Sequence, residues 1–149
     1  MKEVDIYTDG ACSGNPGEGG WAAVLLYNGH KKEISGYVKE TTNNRMEMFA
    51  VIQGLKELRQ KCRVKLFSDS AYVVNAINNG WVYGWKQKGW RKTGGEVKNP
   101  DLWRAMLIEL GKHEVTFIKV KGHSDNEFNN RCDELARGEI EKSRRALSE

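Results

Sequence analysis

The stretch Val4-Asp5-Ile6-Tyr7-Thr8-Asp9-Gly10 begins the pattern from which the fold is predicted. Apolar and polar side chains alternate over residues 4–8, which is typical of a β-strand, and Asp9-Gly10 favours a turn that ends it. The order aliphatic, aromatic, hydroxyl, aspartate returns in Leu66-Phe67-Ser68-Asp69. Because functional side chains gather beyond the carboxyl ends of strands in open α/β sheets, the two aspartates are predicted to share one site.

The chain on either side of residues 4–8 divides into further predicted elements. Residues 14–20 are predicted to form a turn-rich loop, and two β-like runs over 21–27 and 32–38 are joined at Asn28-Gly29, a strong hairpin signal. Helical periodicity and capping residues predict helices over 46–60, 71–78, 99–111 and about 129–144, with strands over 64–68 and 115–120. The predicted fold is therefore α/β, a five-stranded mixed sheet flanked by helices.

Composition narrows the class of protein. A chain of 149 residues with 39% hydrophobic and 30% charged residues fits one soluble domain, here expected to span residues 1–149. No apolar run approaches the length of a membrane span, and acidic residues near the start are atypical of a signal peptide. The three cysteines lie far apart without a C-x-x-C pair, which argues against a disulfide framework or a zinc site. We expect a cytoplasmic chain, by default a monomer, with no membrane partner.

The excess positive charge is concentrated in one segment, residues 81–98, which we call the basic segment. It carries five Lys or Arg residues and one Glu, equal to the whole chain's net charge of +4. Trp81, Trp85 and Trp90 are interleaved with these cations, a pattern that indicates a contact surface for nucleic acid. The alternative is an amphipathic helix whose Trp side chains face the core while its Lys side chains are merely solvated.

Two further acids occupy unusual helical positions. A helical wheel places Glu47 at the border of the apolar face of its helix, and Asp133 flanks the apolar stripe of the last helix. If Asp9 and Asp69 end neighbouring strands, their charges repel by roughly 3 kcal/mol at an effective dielectric constant near 20. A raised pKa, a basic partner or divalent cations could offset this, and clustered carboxylates suit Mg²⁺. Taken singly, each acid also fits a turn, cap, helix-dipole or surface role.

His123 lies in a Gly-containing loop after the last predicted strand, ten residues before Asp133. Histidine side chains exchange protons near neutral pH, so His123 is a candidate for proton transfer. The alternative is an exposed or structural histidine.

Six short blocks of sequence occur in an order found in one enzyme family. They read YTDGAC at 7–12, GNPG at 14–17, TNNRME at 42–47, SDSAYV at 68–73, VKGH at 120–123 and NNRCDELA at 129–136. Together they closely resemble type 1 ribonuclease H of the bacterial kind over residues 3–138. The resemblance implies the ribonuclease H-like fold, without a separate N-terminal hybrid-binding domain.

The resemblance also implies an activity. Members of this family hydrolyse the RNA strand of RNA–DNA hybrids without sequence specificity, leaving 5′-phosphate and 3′-hydroxyl ends. They use two Mg²⁺ ions, for which Mn²⁺ can often substitute, to activate the attacking water and stabilise the leaving 3′ oxygen. By the match of motifs, Asp9, Glu47, Asp69 and Asp133 correspond to the metal-binding acids. His123 corresponds to the loop histidine assigned to proton transfer or product release.

Substrate contacts follow from the same resemblance. It places Asn15, Asn43, Asn44 and the backbone near Cys12 in the minor groove of the hybrid, and Thr42 in a pocket for a DNA phosphate. Residues of about 78–98 match the family's basic protrusion, with contacts predicted for Trp81, Trp85, Lys86, Lys88, Trp90, Arg91 and Lys92. Glu40 and Gly84 depart from the family pattern, which often has a basic residue and an Asn there. The charged stretch 139–149 is expected to be a fraying helix tail.

Two rival functions remain at this point. One is a module that binds hybrids without cleaving them, for which a missing acid would be the sign, and none of the four is missing. The other is a related nuclease that acts on DNA, against which the basic segment and the His123 loop argue.

Overall fold

The computed structural model describes residues 1–122 and 125–148, and its centre is a five-stranded mixed sheet. The strands are β1 (Lys2–Gly14), β2 (Gly17–Tyr27), β3 (His30–Thr41), β4 (Cys62–Ser68) and, after a two-stranded hairpin of β5 (Arg91–Lys92) and β6 (Gly95–Glu96), β7 (Glu114–Lys119). Their order across the sheet is β3-β2-β1-β4-β7, antiparallel from β3 to β1 and parallel from β1 to β7. The predicted mixed sheet and its Asn28-Gly29 hairpin are confirmed.

Helices cover both faces of this sheet. They are α1 (Asn43–Lys56), α2 (Ala71–Asn78), α3 (Trp81–Gln87), α4 (Pro100–Leu110) and α5 (Glu127–Ser148). Neighbouring residues of β2 point to opposite faces, so Ala23 joins the core beneath α1 while Ala22 packs beside Cys132 of α5. Among the described residues, no helix combines the length and apolar character needed to cross a membrane.

The first strand is longer than predicted. Its parallel pairing with β4 ends at Tyr7 and Phe67, but its antiparallel pairing with β2 continues to Gly14 and Gly17. The predicted end at Asp9-Gly10 is therefore wrong: Asp9 lies inside β1, at the point where the β4 side of the strand becomes free. The turn-rich loop predicted over 14–20 is likewise reduced to Asn15 and Pro16.

Two glycines in these segments serve close packing of helices and not turns. An added Cβ at Gly10 would collide with the backbone nitrogen of Glu47, and one at Gly20 would collide with the carbonyl oxygen of Ala136. Glycine is required here because helices α1 and α5 approach the sheet closely, a use of glycine that mimics a loop signal in the sequence.

Helix boundaries also differ from their predictions. Thr42 caps α1, its hydroxyl accepting a hydrogen bond from the Arg45 N–H at 3.3 Å, so the helix begins at Asn43 and not at residue 46. Helix α5 extends to Ser148, and two side chains of its second half bind the sheet: Arg144 binds Glu18 at 2.9 Å, and Glu139 accepts a hydrogen bond from Ser35 at 2.8 Å. The fraying expected for residues 139–149 stays a prediction. The helix predicted over 71–78 is confirmed.

Candidate active site

Three carboxylates from three different elements meet at the carboxyl end of β4. Asp9 belongs to β1, Glu47 lies in the second turn of α1, and Asp69 follows the last residue of β4. One oxygen from each lies within 4.8 Å of the others. Because Gly10 lacks a Cβ, the backbone of α1 can rest against β1 and bring Glu47 to the aspartates.

Burial makes this cluster electrostatically unusual. Asp9 is 4% exposed and Glu47 5%. Burial raises the pKa of Asp9 to about 7; the charges of Asp69 and Asp133 add to that rise, while a hydrogen bond with Glu47 opposes it. Burial, then the charges of Asp9 and Asp69, raise the pKa of Glu47 well above its ordinary value. Without a cation, part of the cluster is therefore held in its protonated form near neutral pH.

The cluster fits a divalent cation. Within residues 1–122 and 125–148, no Lys or Arg forms an ion pair with Asp9, Glu47 or Asp69. The Glu47 Oε1 atom is buried and accepts no hydrogen bond in this part of the chain. Several close carboxylate oxygens with no cationic partner are the ligand set that hard cations such as Mg²⁺ prefer.

Asp133 lies on the same cavity but is not part of the tight trio. The cavity, of about 560 Å³, is lined by all four acids predicted from the sequence. Asp133 extends from α5 and forms an ion pair with Arg137 one turn later, Nη2 to Oδ2 2.7 Å. Sequence reasoning missed Arg137, although its spacing of four residues from Asp133 on a helix was a usable signal.

Short polar side chains surround the acids. Cys12, Asn43 and Asn44 line the cavity, and the Asn15 side chain accepts a hydrogen bond from the Asn43 N–H at 3.1 Å. This bond ties the β1–β2 turn to the start of α1, so Asn15 lies next to the two asparagines of the cavity lining. Thr42 caps the same helix. Their contacts with substrate stay predictions.

The basic segment combines both interpretations of its sequence. Trp90 is buried beneath the Arg104 guanidinium, 5.3 Å from its ring centroid, and Trp85 packs edge-on against Trp103. These two rings hold α3 and its hairpin on the core. Trp81 is 50% exposed. The four cations predicted to bind substrate are also exposed: Lys86, Lys88, Arg91 and Lys92.

Three further positions were singled out in the sequence: His123, Glu40 and Gly84. His123 lies outside the described residues. Glu40 is exposed near the end of β3, and an added Cβ at Gly84 would meet no atom of residues 1–122 and 125–148 within 4 Å. Both departures from the family pattern therefore lie where space is available.

Comparisons with known proteins show the family to which this chain belongs. The sequence model of the RNase H family matches residues 1–141. A relative named Ribonuclease H from Acetivibrio thermocellus is 57% identical over 144 residues, covering 96% of this chain and 98% of its own. The crystal structure of LC9-RNase H1, a type 1 RNase H with the type 2 active-site motif, has a TM-score of 0.83 at 28% identity, covering 93% of this chain and 72% of that one. LC11-RNase H1, crystallised in complex with RNA/DNA hybrid, has a TM-score of 0.74 at 25% identity over 94% of this chain and 98% of its own. The chain therefore belongs to the ribonuclease H family of divalent-metal-dependent hydrolases.

Proposed function

We propose that this chain is an endoribonuclease that hydrolyses the RNA strand of RNA–DNA hybrids, leaving 5′-phosphate and 3′-hydroxyl ends. The observation that carries the proposal is the convergence of Asp9, Glu47 and Asp69 within 4.8 Å, with Asp133 on the same cavity. The family membership of the chain and the hybrid bound by LC11-RNase H1 support the choice of substrate.

The four acids would hold two Mg²⁺ ions, with Mn²⁺ as a substitute. Ions held by these residues would supply activation of the attacking water and stabilisation of the leaving 3′ oxygen. Asp9 and Glu47 must lose their protons to act as ligands, and their raised pKa values make cation binding compete with protons. The burial of these two side chains keeps bulk water away from the ligand oxygens, which strengthens their attraction for a cation.

Recognition of ribose follows from the shape of a hybrid. Its 2′-hydroxyl groups lie on one strand only, in a wide and shallow minor groove. Asn15, Asn43 and Asn44, with the backbone near Cys12, would test for those hydroxyls beside the carboxylates. A contact between Thr42 and a DNA phosphate is compatible with its capping role, since the cap uses one lone pair of its hydroxyl.

The basic segment would hold the DNA strand. Lys86, Lys88, Arg91 and Lys92 are exposed and carry the charge that phosphates require, and Trp81 offers half of its surface to a sugar or base. Trp85 and Trp90 would support this surface from beneath. Because phosphates and sugars carry no base code, cleavage would be independent of sequence.

Further parts of the proposal concern the chain as a whole. His123 would transfer protons or assist product release. Residues 1–149 would act as one domain and as a monomer, in the cytoplasm.

The test is incubation with labelled RNA–DNA hybrid, duplex RNA and duplex DNA, each with Mg²⁺ and with chelator. We expect cleavage of the RNA strand of the hybrid alone, and none with chelator. Equal cleavage of duplex DNA would contradict the proposed substrate. Binding of the hybrid without cleavage would favour a non-catalytic module.

A further inference from the structure

One acid of the cavity already has a cationic partner. The Arg137 guanidinium lies 2.7 Å from Asp133 Oδ2, and both residues line the cavity that holds Asp9, Glu47 and Asp69. Arg137 is the one basic side chain among the described residues of that lining. Within residues 1–122 and 125–148, Asp9, Glu47 and Asp69 therefore have no basic partner, whereas the charge of Asp133 is balanced by Arg137.

The ion pair between Asp133 and Arg137 is easily broken. Asp133 and Arg137 lie four residues apart on α5, so their side chains meet on one face of the helix. The Arg137 side chain is 64% exposed and that of Asp133 22%. Exposed ion pairs of this kind contribute little net stability, so a cation that binds the Asp133 carboxylate more strongly can displace the guanidinium.

We propose that Arg137 is a positioning residue that competes with a divalent cation for Asp133 and thereby sets the affinity of that end of the site. This inference rests on the proposed two-cation function. A cation bound through Asp133 must either displace the guanidinium from Oδ2 or share the carboxylate with it, and in both cases the positive charge of Arg137 opposes its entry. In the described part of the chain, no basic side chain pairs with Asp9, Glu47 or Asp69. A divalent cation should therefore bind first at these three acids and last at Asp133.

The test is titration calorimetry with Mn²⁺ alone on the wild-type chain and three variants. Arg137→Gln removes the charge and keeps much of the side chain's length, whereas Arg137→Lys keeps the charge. Arg145→Gln removes an equal charge two turns further along α5 and serves as the control. Circular dichroism checks that each variant is folded.

We expect the weaker Mn²⁺ step to tighten about three- to fivefold in Arg137→Gln, the upper part of the range that one exposed ion pair contributes. Arg137→Lys and Arg145→Gln should stay within about twofold of wild type, because each preserves a positive charge beside Asp133. The rise in melting temperature on adding Mn²⁺ should be larger for Arg137→Gln than for wild type.

Unchanged or weaker Mn²⁺ binding in Arg137→Gln would overturn the inference, as would equal tightening in Arg145→Gln, which would indicate a general effect of net charge. Absence of Mn²⁺ binding by the wild-type chain would overturn the proposed function as well. The two failures are therefore distinguishable.

Discussion

At the scale of single residues, Asp9 connects the stability of the chain to its chemistry. Its carboxyl group is buried beside other acids, and its Oδ1 atom accepts a hydrogen bond from the Gly10 N–H at 2.9 Å. Its pKa rises from the ordinary value of 3.8 to about 7. A folded-state pKa above the unfolded value means that stability is fully present below the unfolded pKa and is lost as pH rises through the folded one.

Asp9→Asn should therefore stabilise the chain in chelator at pH 8, by about 2 kcal/mol, because the amide keeps the Gly10 hydrogen bond without the buried charge. Urea unfolding at pH 5 and pH 8 measures this, and the gain should be smaller at pH 5. The same variant should lose hybrid cleavage. If Asp9→Asn is less stable than wild type at pH 8, the buried charge of Asp9 does not destabilise the folded chain.

His113 provides a pH dependence of the opposite sign. Its Nδ1 atom accepts a hydrogen bond from the Cys62 N–H at 3.1 Å, and burial lowers its pKa. A lowered folded-state pKa gives stability that is present above the unfolded value and lost as pH falls through the folded one.

Between pH 7 and pH 5, the wild-type chain should lose about 0.5–1 kcal/mol more stability than His113→Gln, because protonation of Nδ1 removes its acceptor role. Chemical unfolding across this range is the measurement. The same change at the exposed His30 is the control, and its curve should parallel wild type. A parallel curve for His113→Gln would refute the role given to the hydrogen bond.

At the scale of elements, the contact between α5 and β2 positions Asp133. The backbone of α5 at Ala136 lies so close to β2 that a Cβ at Gly20 would collide with its carbonyl oxygen. Asp133 lies one turn earlier on the same helix. A shift of α5 away from the sheet would therefore move an acid of the site.

Gly20→Ala should lower the free energy of unfolding by about 1–3 kcal/mol, the usual cost of overpacking, and should also reduce hybrid cleavage. Gly138→Ala is the matched control, since an added Cβ there meets no atom within 4 Å in the part of the chain that the structure describes. That variant should be stabilised by about 0.5–1 kcal/mol, as expected when Gly is replaced within a helix. Thermal unfolding of both checks the account, and equal melting temperatures would contradict it.

Elements were predictable where local signals and tertiary contacts agree. Asn28-Gly29 gave the hairpin and Asn99-Pro100 the start of α4, because backbone conformation alone decides both. The prediction failed at Gly10 and Gly20, whose glycines serve packing between elements rather than turns. The burial of Trp90 was one of two open alternatives, since interleaved Trp and Lys residues do not specify which face a ring takes.

The site was predictable where the sequence pattern indicated which face of the sheet or helix an acid takes. Wheel positions pointed Glu47 and Asp133 toward the sheet, and the repeated aspartate pattern paired Asp9 with Asp69, all now on one cavity. The spacing of Asp133 and Arg137 did not single out their ion pair, because oppositely charged i,i+4 pairs are common on solvated helices.

At the scale of the whole molecule, charge is divided between two surfaces. Acidic side chains line the cavity at the end of β4, and exposed Lys and Arg side chains lie on the basic segment. This division suits the proposed hybrid, whose RNA strand would lie at the cavity and whose DNA strand would lie on the basic segment. Neutralising Lys86, Lys88, Arg91 and Lys92 together should weaken hybrid binding and reduce its salt slope by about 2–3.

Fluorescence titrations at several salt concentrations measure that slope. The control neutralises four exposed lysines outside the segment: Lys2, Lys31, Lys61 and Lys65. It should lower affinity less and leave the slope nearer to wild type. An unchanged slope in the first variant would remove the basic segment from the interface.

We propose that the carboxylate cluster serves hydrolysis only when it holds divalent cations. The most direct measurement is the rate of RNA-strand cleavage in a hybrid after chelation and again after Mg²⁺ is restored, for the wild-type chain and for Asp69→Asn. Wild-type cleavage should stop with chelator and return with Mg²⁺, and Asp69→Asn should show none above background in either condition. Cleavage that persists in chelator, or a variant as active as wild type, would contradict it.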